Sequence, residues 1–134
     1  MSNKINKVFL GGTCNGSKWR DIIINNINKD YFNPVVKDWT PACQEEERRQ
    51  KEKECDCELY VITPKIKGVF SIAEVVDASN KRPDETLFCF IDTEDDFSFD
   101  EGDIRSLNAV KDLVKSNGAH VFNSLEDVIE FINK

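Results

Sequence analysis

The sequence predicts one α/β domain, with helices on both faces of a mostly parallel sheet. Short apolar runs that suit strands alternate along the chain with segments of helical period. No internal repeat, low-complexity stretch or linker interrupts this alternation. A length of 134 residues with 40% hydrophobic side chains is enough for one core without disulfides. We therefore expect a single domain over residues 1–134.

Five strands and five helices are predicted. The strands fall at residues 7–10, 31–36, 59–63, 86–91 and 119–122. The helices fall at residues 19–27 and 44–54, around Glu74, at 101–117 and after 124. Right-handed crossovers favour the strand order 2-1-3-4-5 of a flavodoxin-like or Rossmann-like three-layer sandwich. This order predicts a ligand crevice between the first and third strands.

Local signals support several boundaries. Ser17 is a suitable N-cap for the first helix, and Pro41 suits the first turn of the second. Pro83 breaks the chain before the fourth strand, and Gly118 ends the fourth helix. Ser124 opens the last helix, with acidic residues in its first turn.

Charge and composition exclude several partners. A net charge of -7 argues against a nucleic acid polymer, which is bound largely through Lys and Arg, whereas a nucleoside-sized ligand remains compatible. No apolar run approaches the roughly 20 residues that span a bilayer, so we expect no membrane partner. Residues 1–7 lack the features of a signal peptide. We expect a cytoplasmic protein.

The five cysteines do not form a recognisable disulfide framework or metal site. Their odd number and scattered positions suit a reducing compartment. Cys55 and Cys57 are separated by one residue, which does not match a zinc knuckle, and His120 is the only histidine. We expect neither a metal nor a cofactor, and we assign His120 to packing or to the surface.

Glu74 is the most informative candidate residue. It is a lone carboxylate in an otherwise apolar helical turn, and its helix follows the apolar run at 59–63. Because open α/β sheets bind ligands at the carboxyl ends of their strands, Glu74 is a candidate nucleophile or base. The alternative is structural: Glu74 caps its helix or pairs with Lys81 on a solvated face.

The segment after the first strand is a second candidate. Gly11, Gly12, Thr13 and Asn15 form a small-residue loop that lets the backbone approach a ligand closely. A tight strand-to-helix turn alone also explains such glycines, and no Gly-Lys-Ser/Thr ending indicates a P-loop.

Four groups of residues, in order along nearly the whole chain, resemble the nucleoside 2-deoxyribosyltransferase-like family. The groups are Val8-Phe-Leu-Gly-Gly-Thr13 with Trp19, Asn33-Pro34 with Asp38-Trp39, Cys55-Asp56 before Leu59-Tyr-Val-Ile-Thr-Pro64, and Ser71-Ile-Ala-Glu74 with Ala78 and Lys81-Arg82-Pro83. The last group is the sharpest, since it is similar to the glutamate-bearing helix of the family.

The resemblance implies transfer or hydrolysis at the N-glycosidic bond of a nucleoside, deoxynucleoside or nucleotide. Glu74 stands at the position of the family's nucleophile, which attacks the anomeric carbon as the base leaves. A carboxylate suits this chemistry because the transition state has oxocarbenium character. Members of the family are often oligomers, and the apolar edge of the Glu74 helix permits a homo-oligomer here.

The chain departs from the family pattern at two positions. Transferases of the family carry an aspartate at the end of the third strand and another in the loop before the glutamate. Thr63-Pro64 and Gly68-Val-Phe-Ser71 stand at these places. Sugar and base recognition then depends on other polar residues, with Asn15, Asn33, Asp38 and Ser71 as candidates, or the site binds a ligand without turnover.

The two tryptophans and the charged run at 44–54 complete the candidates. We assign Trp19 to the core and treat Trp39, in a polar loop, as a stacking ligand for a base or as plain loop structure. The run at 44–54 predicts a solvated helix. The alternative is that one of its glutamates, Glu46 or Glu47, faces the crevice as a proton donor or sugar ligand. The acidic stretch 92–103 fails the EF-hand pattern and predicts a solvated loop anchored by two phenylalanines.

Three functions remain open from the sequence. The first is an enzyme acting at an N-glycosidic bond through Glu74. The second is a nucleotide-binding module that uses the same crevice without chemistry. The third is an interaction domain whose function lies on the acidic face of the second helix.

Overall fold

The computed structural model describes residues 4–134. Residues 1–3, which belong to the predicted domain and to the segment 1–7 predicted not to be a signal peptide, lie outside the described part. The strands are β1 (Lys7–Gly12), β2 (Asp30–Phe32), β3 (Cys57–Ile62), β4 (Thr86–Phe90), β5 (Thr93–Glu94), β6 (Phe97–Ser98) and β7 (His120–Phe122). The helices are α1 (Trp19–Asn26), α2 (Pro41–Arg49), α3 (Phe70–Lys81), α4 (Glu101–Ser116) and α5 (Leu125–Asn133). A π-helical segment (Gln50–Glu54) continues α2, and a 3-10 turn (Pro83–Glu85) precedes β4.

Five strands form one parallel sheet in the order β2-β1-β3-β4-β7. The predicted α/β class and strand order are therefore confirmed, with β7 as the fifth strand of the sheet. The prediction of a solvated loop at 92–103 is wrong in part. Within it β5 and β6 pair antiparallel, with Thr93 opposite Ser98 and Glu94 opposite Phe97.

Helices cover the two faces of the sheet around two clusters of buried side chains. One cluster joins β1, β3 and β4 to α1 and α5, and it includes Trp19, which is 1% exposed as expected of a core residue. The other joins β3 and β4 to α3 and α4. Asn133 of α5 also accepts from the main-chain N–H of Asn28 (2.8 Å) and donates to the carbonyl of Asn26 (3.0 Å). The last helix is thus fastened to the end of the first.

The helix α2 contributes no buried residue, as expected from its charged sequence. It begins at Pro41, three residues before the predicted range 44–54, with proline in its first turn as predicted, and regular α-helical pairing ends at Arg49. Cys55 then bonds back to the carbonyl of Gln50 (2.7 Å), the five-residue step of a π-helix. Because α2 stands clear of the sheet, a groove remains between it and α3.

Two predicted strand boundaries are wrong. The strand predicted at 31–36 stops at Phe32, since Pro34 has no N–H to pair and Asn33 accepts from the main-chain N–H of Val35 (3.0 Å) in a local turn. Gly11 and Gly12 were expected in a loop but complete β1.

The reason for both glycines is close packing against β3. A Cβ on Gly12, whose φ is +116°, would lie 2.3 Å from the carbonyl oxygen of Val61. A Cβ on Gly11 would lie 2.5 Å from Cε1 of Tyr60. These glycines therefore let two strands and an aromatic ring meet, and only the segment beyond Gly12 forms the loop.

Candidate active site

Two cavities adjoin at Glu74. The larger has a volume of about 510 Å³ and lies in the groove between α2, with its π-helical extension, and α3. The smaller has a volume of about 230 Å³ and lies at the carboxyl end of β1, where the strand order predicts a crevice. Three residues line both cavities: Glu47, Phe70 and Glu74. The candidate residue predicted from the sequence thus stands in the wall between two spaces.

Glu74 is held by Lys51 rather than by Lys81. The Nζ atom of Lys51 lies 2.5 Å from Oε2 of Glu74, and the two side chains are 18% and 15% exposed. The same Nζ lies 5.0 Å from the centre of the Phe9 ring. Lys81 instead pairs with Asp77 at 3.1 Å. The carboxylate therefore faces the cavities and carries an ionic partner from the π-helical segment.

The two glutamates proposed from the charged run lie differently. Glu47 lines both cavities, and burial, followed by repulsion from Glu74, raises the pKa of its carboxyl. Glu46 turns away to Arg49 and to Gln50, and the Arg49 hydrogen bond first of all holds the pKa of Glu46 at about 2. Only Glu47 is brought to Glu74.

Arg20 forms the floor beneath the smaller cavity. Its guanidinium is buried and donates to the carbonyls of Leu10 (3.0 Å), Gly12 (3.3 Å) and Thr13 (2.6 Å). Burial lowers the pKa of this side chain. These bonds fix the shape of the chain as it leaves β1.

Thr13 connects the same turn to β3 rather than lining a cavity. Its hydroxyl accepts from the main-chain N–H of Thr63 (2.9 Å), and its carbonyl accepts from the indole of Trp19 (2.8 Å). Thr13 is 2% exposed, so in this structure it acts as a structural joint of the site.

The remaining predicted binding residues divide into two groups. Trp39, which is 58% exposed, and Ser71 line the smaller cavity. Asn15, Asn33 and Asp38 are exposed and lie outside the residues that line the two cavities. Asn15 donates to the carbonyl of Lys65 (3.2 Å), so it joins two loops.

Sequence reasoning missed a buried polar cluster at the far end of the larger cavity. Glu58 is 2% exposed, accepts from the hydroxyl of Tyr60 (2.8 Å) and pairs with Nε of Arg82 (2.5 Å). Burial, and then the charge of Glu58, raise the pKa of Tyr60, so it remains a phenol. A charged residue inside the apolar β3 was the signal that could have revealed it.

Ion pairs occupy every basic side chain that lines the larger cavity. Besides Lys51 with Glu74 and Arg82 with Glu58, they join Lys81 to Asp77 and Arg48 to Glu45. Two lining carboxylates, Glu47 and Glu52, are left outside these pairs. The wall of this cavity is therefore negative overall.

The β5–β6 hairpin fastens the loops above the sheet. Glu94 accepts from the hydroxyl of Ser17 (2.8 Å) and from the main-chain N–H of Lys18 (2.8 Å). Asp95 pairs with Lys65 at 2.5 Å. Ser17 was predicted as the N-cap of α1, but Lys18 takes that position and the hydroxyl of Ser17 bonds to the hairpin instead. The hairpin thus connects the loops that follow β1 and β3.

A parallel sheet with a cavity at the ends of its strands defines the class of open α/β proteins that bind ligands at this edge. Residues 5–93 match the family described as nucleoside 2-deoxyribosyltransferase like, and the chain belongs to that family. The matched segment contains every residue that lines the two cavities. No curated protein was found to match the chain.

Within residues 4–134, no group of three or more His, Cys, Asp or Glu side chains is placed to hold a metal ion. No helix in that range is long and apolar enough to cross a membrane.

Proposed function

We propose that the protein cleaves or transfers at the N-glycosidic bond of a nucleoside or deoxynucleoside, with Glu74 as the nucleophile. The observation that carries this proposal is the position of Glu74 in the wall between two cavities, with its side chain only 15% exposed. A carboxylate so placed can meet the anomeric carbon of a sugar whose base and remainder occupy different spaces. Membership of the family supports the same reaction.

In this mechanism the base enters the smaller cavity, whose walls include Trp39 and Phe70. The sugar then lies at Glu74 and extends towards the larger cavity. The carboxylate bonds to C1′ as the C1′–N bond breaks, and its negative charge stabilises the oxocarbenium-like transition state. Water or a second base then takes the sugar. The contact between Lys51 and Glu74 must loosen as the substrate arrives.

Glu47 is the second carboxylate of the site, and two roles suit it. With its raised pKa, it is placed to donate a proton to the departing base. It is equally placed to accept hydrogen bonds from the sugar hydroxyls. Ser71 in the smaller cavity is a further polar group for the substrate. Glu47 and Ser71 would then take the roles of the two family aspartates, whose positions are occupied here by Thr63-Pro64 and by the loop 68–71.

We further propose that residues 1–134 form one nucleoside 2-deoxyribosyltransferase-like domain. The continuous sheet from β2 to β7 and the contacts of Asn133 with the end of α1 support this. Five free cysteines support a cytoplasmic location. Val69, which is 73% exposed beside Phe70, supports a homo-oligomer in which this rim is covered.

The test is release of free base from a panel of nucleosides, deoxynucleosides and nucleotides, followed by chromatography. Glu74→Gln keeps the size of the side chain and is expected to lower the rate at least a hundredfold while ligand binding is retained. Glu130→Gln removes an exposed carboxylate from α5, on the other face of the sheet, and is the matched control. Unchanged base release by Glu74→Gln would overturn the proposal.

A second candidate function is a nucleotide-binding module without chemistry. The observation that favours it is the ion pair that already occupies Glu74. In that case the wild-type protein shows ligand-dependent thermal stabilisation and no base release from any member of the panel. Stabilisation together with base release would exclude it.

A further inference from the structure

The smaller cavity combines exposed aromatic side chains with a carboxylate that has no ionic partner. Trp39 and Phe70 are 58% and 74% exposed although both line the cavity. Glu47 lines the same space, and within residues 4–134 none of the salt bridges includes it. Exposed aromatic surface around a cavity marks a place where a ligand or partner binds.

Among the described residues, Glu47 is the carboxylate of the smaller cavity that has no cation paired to it. Glu74 is compensated by Lys51, and the Arg20 guanidinium is directed to three main-chain carbonyls below the cavity. Burial and repulsion from Glu74 raise the pKa of Glu47 in spite of the attraction of Lys51 and Arg20. A positive charge on a ligand would relieve this repulsion.

Aromatic faces beside a carboxylate stabilise a delocalised cation. A cation is already bound by a carboxylate and an aromatic ring beside this cavity, where the ammonium of Lys51 contacts Glu74 and the ring of Phe9. The larger cavity does not favour an anionic group, because each basic side chain that lines it already forms an ion pair.

We propose that the preferred substrate is an N-glycoside whose base carries a positive charge, such as a pyridinium or an N-alkylated purine, bound between Trp39 and Phe70 with Glu47 as its counter-charge. This inference rests on the proposed function and narrows its substrate class. The smaller cavity, at about 230 Å³, suits one ring system rather than a whole extended ligand.

The reaction balances without a proton donor. The C1′–N bond breaks and its electron pair moves to the ring nitrogen, which loses its positive charge. An oxygen of Glu74 forms the new bond to C1′. Water then displaces Glu74 from C1′, and one proton is released to solvent. The neutral base is no longer attracted by Glu47, which favours its departure.

The test compares nicotinamide riboside, a pyridinium glycoside, with its reduced dihydro form, which has nearly the same size and no charge on the ring. Binding is measured by calorimetry on the double variant Lys51→Met with Glu74→Gln, which stops turnover and removes the cation that would otherwise be free to pair with Glu47. We expect the charged probe to bind at least tenfold more tightly. In this background, Glu47→Gln should bring the ratio of the two affinities close to one, with the larger loss of affinity on the charged probe.

Two further variants sharpen the comparison. Trp39→Leu should weaken binding of the charged probe severalfold. Glu54→Gln removes a carboxylate that pairs with Arg49 outside both cavities, and it should keep the full preference. Equal affinity for the two probes, or a preference that survives Glu47→Gln, overturns the inference. Thermal unfolding of each variant verifies that it is folded.

The failure of the two proposals can be told apart. Base release from neutral nucleosides by the wild-type protein, without preference for the charged probe, contradicts this inference and leaves the proposed function intact. Preferential binding of the charged probe without any base release supports the binding preference and contradicts the proposed catalysis.

Discussion

Lys51 and Glu74 form a 2.5 Å ion pair that joins the π-helical segment to α3 between the two cavities. Both side chains are less than one fifth exposed, so loss of the cation leaves a poorly hydrated carboxylate close to Glu47. We expect Lys51→Met to lower the free energy of unfolding by about 1–3 kcal/mol in urea titrations.

The double variant Lys51→Met with Glu74→Gln tests the reason for this loss. It removes the unpaired charge together with its partner, so it should recover most of the stability. Strict additivity of the two single changes would show that the pair contributes nothing.

Glu47 should destabilise the folded protein at neutral pH. Its pKa is raised in the fold by burial and by Glu74, so the folded state favours the protonated form. Protonation of Glu47 therefore stabilises the folded state relative to the unfolded chain. This stabilisation is fully present below the pKa that Glu47 has in the unfolded chain, and it is lost as the pH rises through its pKa in the folded protein. Glu47→Gln should therefore increase the free energy of unfolding at pH 7. The increase should not exceed about 1 kcal/mol, because the Glu47 side chain is partly hydrated.

The difference between wild type and Glu47→Gln should shrink as the pH is lowered to about 4. Lys51 and Arg20 are the cations that face Glu47, and Glu74 is the facing anion. Unfolding curves of both proteins from pH 4 to 8 measure this. A gap that is constant across the range would refute the assignment to ionisation of Glu47.

Glu94 should behave in the opposite way. Burial alone would raise its pKa, but hydrogen bonds from the main chain of Lys18 and from the hydroxyl of Ser17 outweigh it and lower the value. The stability it contributes is present above the unfolded pKa and is lost as pH falls through the folded one. Glu94→Gln should cost about 1–2 kcal/mol at pH 7 and little in acid.

Asp96→Asn is the matched control for Glu94, since Asp96 is an exposed carboxylate in the turn of the same hairpin. It should change the free energy of unfolding by less than about 0.5 kcal/mol. Equal effects of the two changes would argue against a specific role of Glu94 in fastening the loop before α1.

Arg82→Met should be among the most destabilising single changes in the chain. It leaves Glu58, 2% exposed, as a buried charge whose remaining partner is the hydroxyl of Tyr60. Breaking a buried pair in this way costs about 3–5 kcal/mol. Arg48→Met, in a pair that is 62% and 72% exposed, should cost less than about 1 kcal/mol. Similar losses for the two variants, measured by denaturant unfolding, would contradict this account.

The sequence pattern predicts four strands of the central sheet well and the edge strand β2 and the hairpin poorly. The run that begins at Leu59 is buried on both faces, so an unbroken apolar segment suffices to identify β3. The edge strand β2 has only three residues, and its end depends on Pro34 and the side chain of Asn33. The β5–β6 hairpin has two residues in each strand, too few to show an alternating pattern.

The candidate site is predictable to the extent that its residues interrupt apolar segments. Glu74 does so in α3, and Glu58 does so in β3, so one criterion finds both. Lys51 gives no such signal, because it lies in the charged run at 44–54 and only the π-helical turn brings it to Glu74. Glu47 likewise differs from Glu46 only in the direction it faces, which depends on how α2 stands against the sheet.

The hydrogen bonds between Asn133 and the end of α1 have a consequence for biosynthesis. The apolar side of α1, including Ile23, is covered partly by Val128 and Ile132 of α5. Until α5 has been synthesised, this apolar surface of α1 is not covered by Val128 and Ile132. Nascent chains are therefore expected to be prone to aggregation, and to bind chaperones, until α5 has been synthesised and packs against α1.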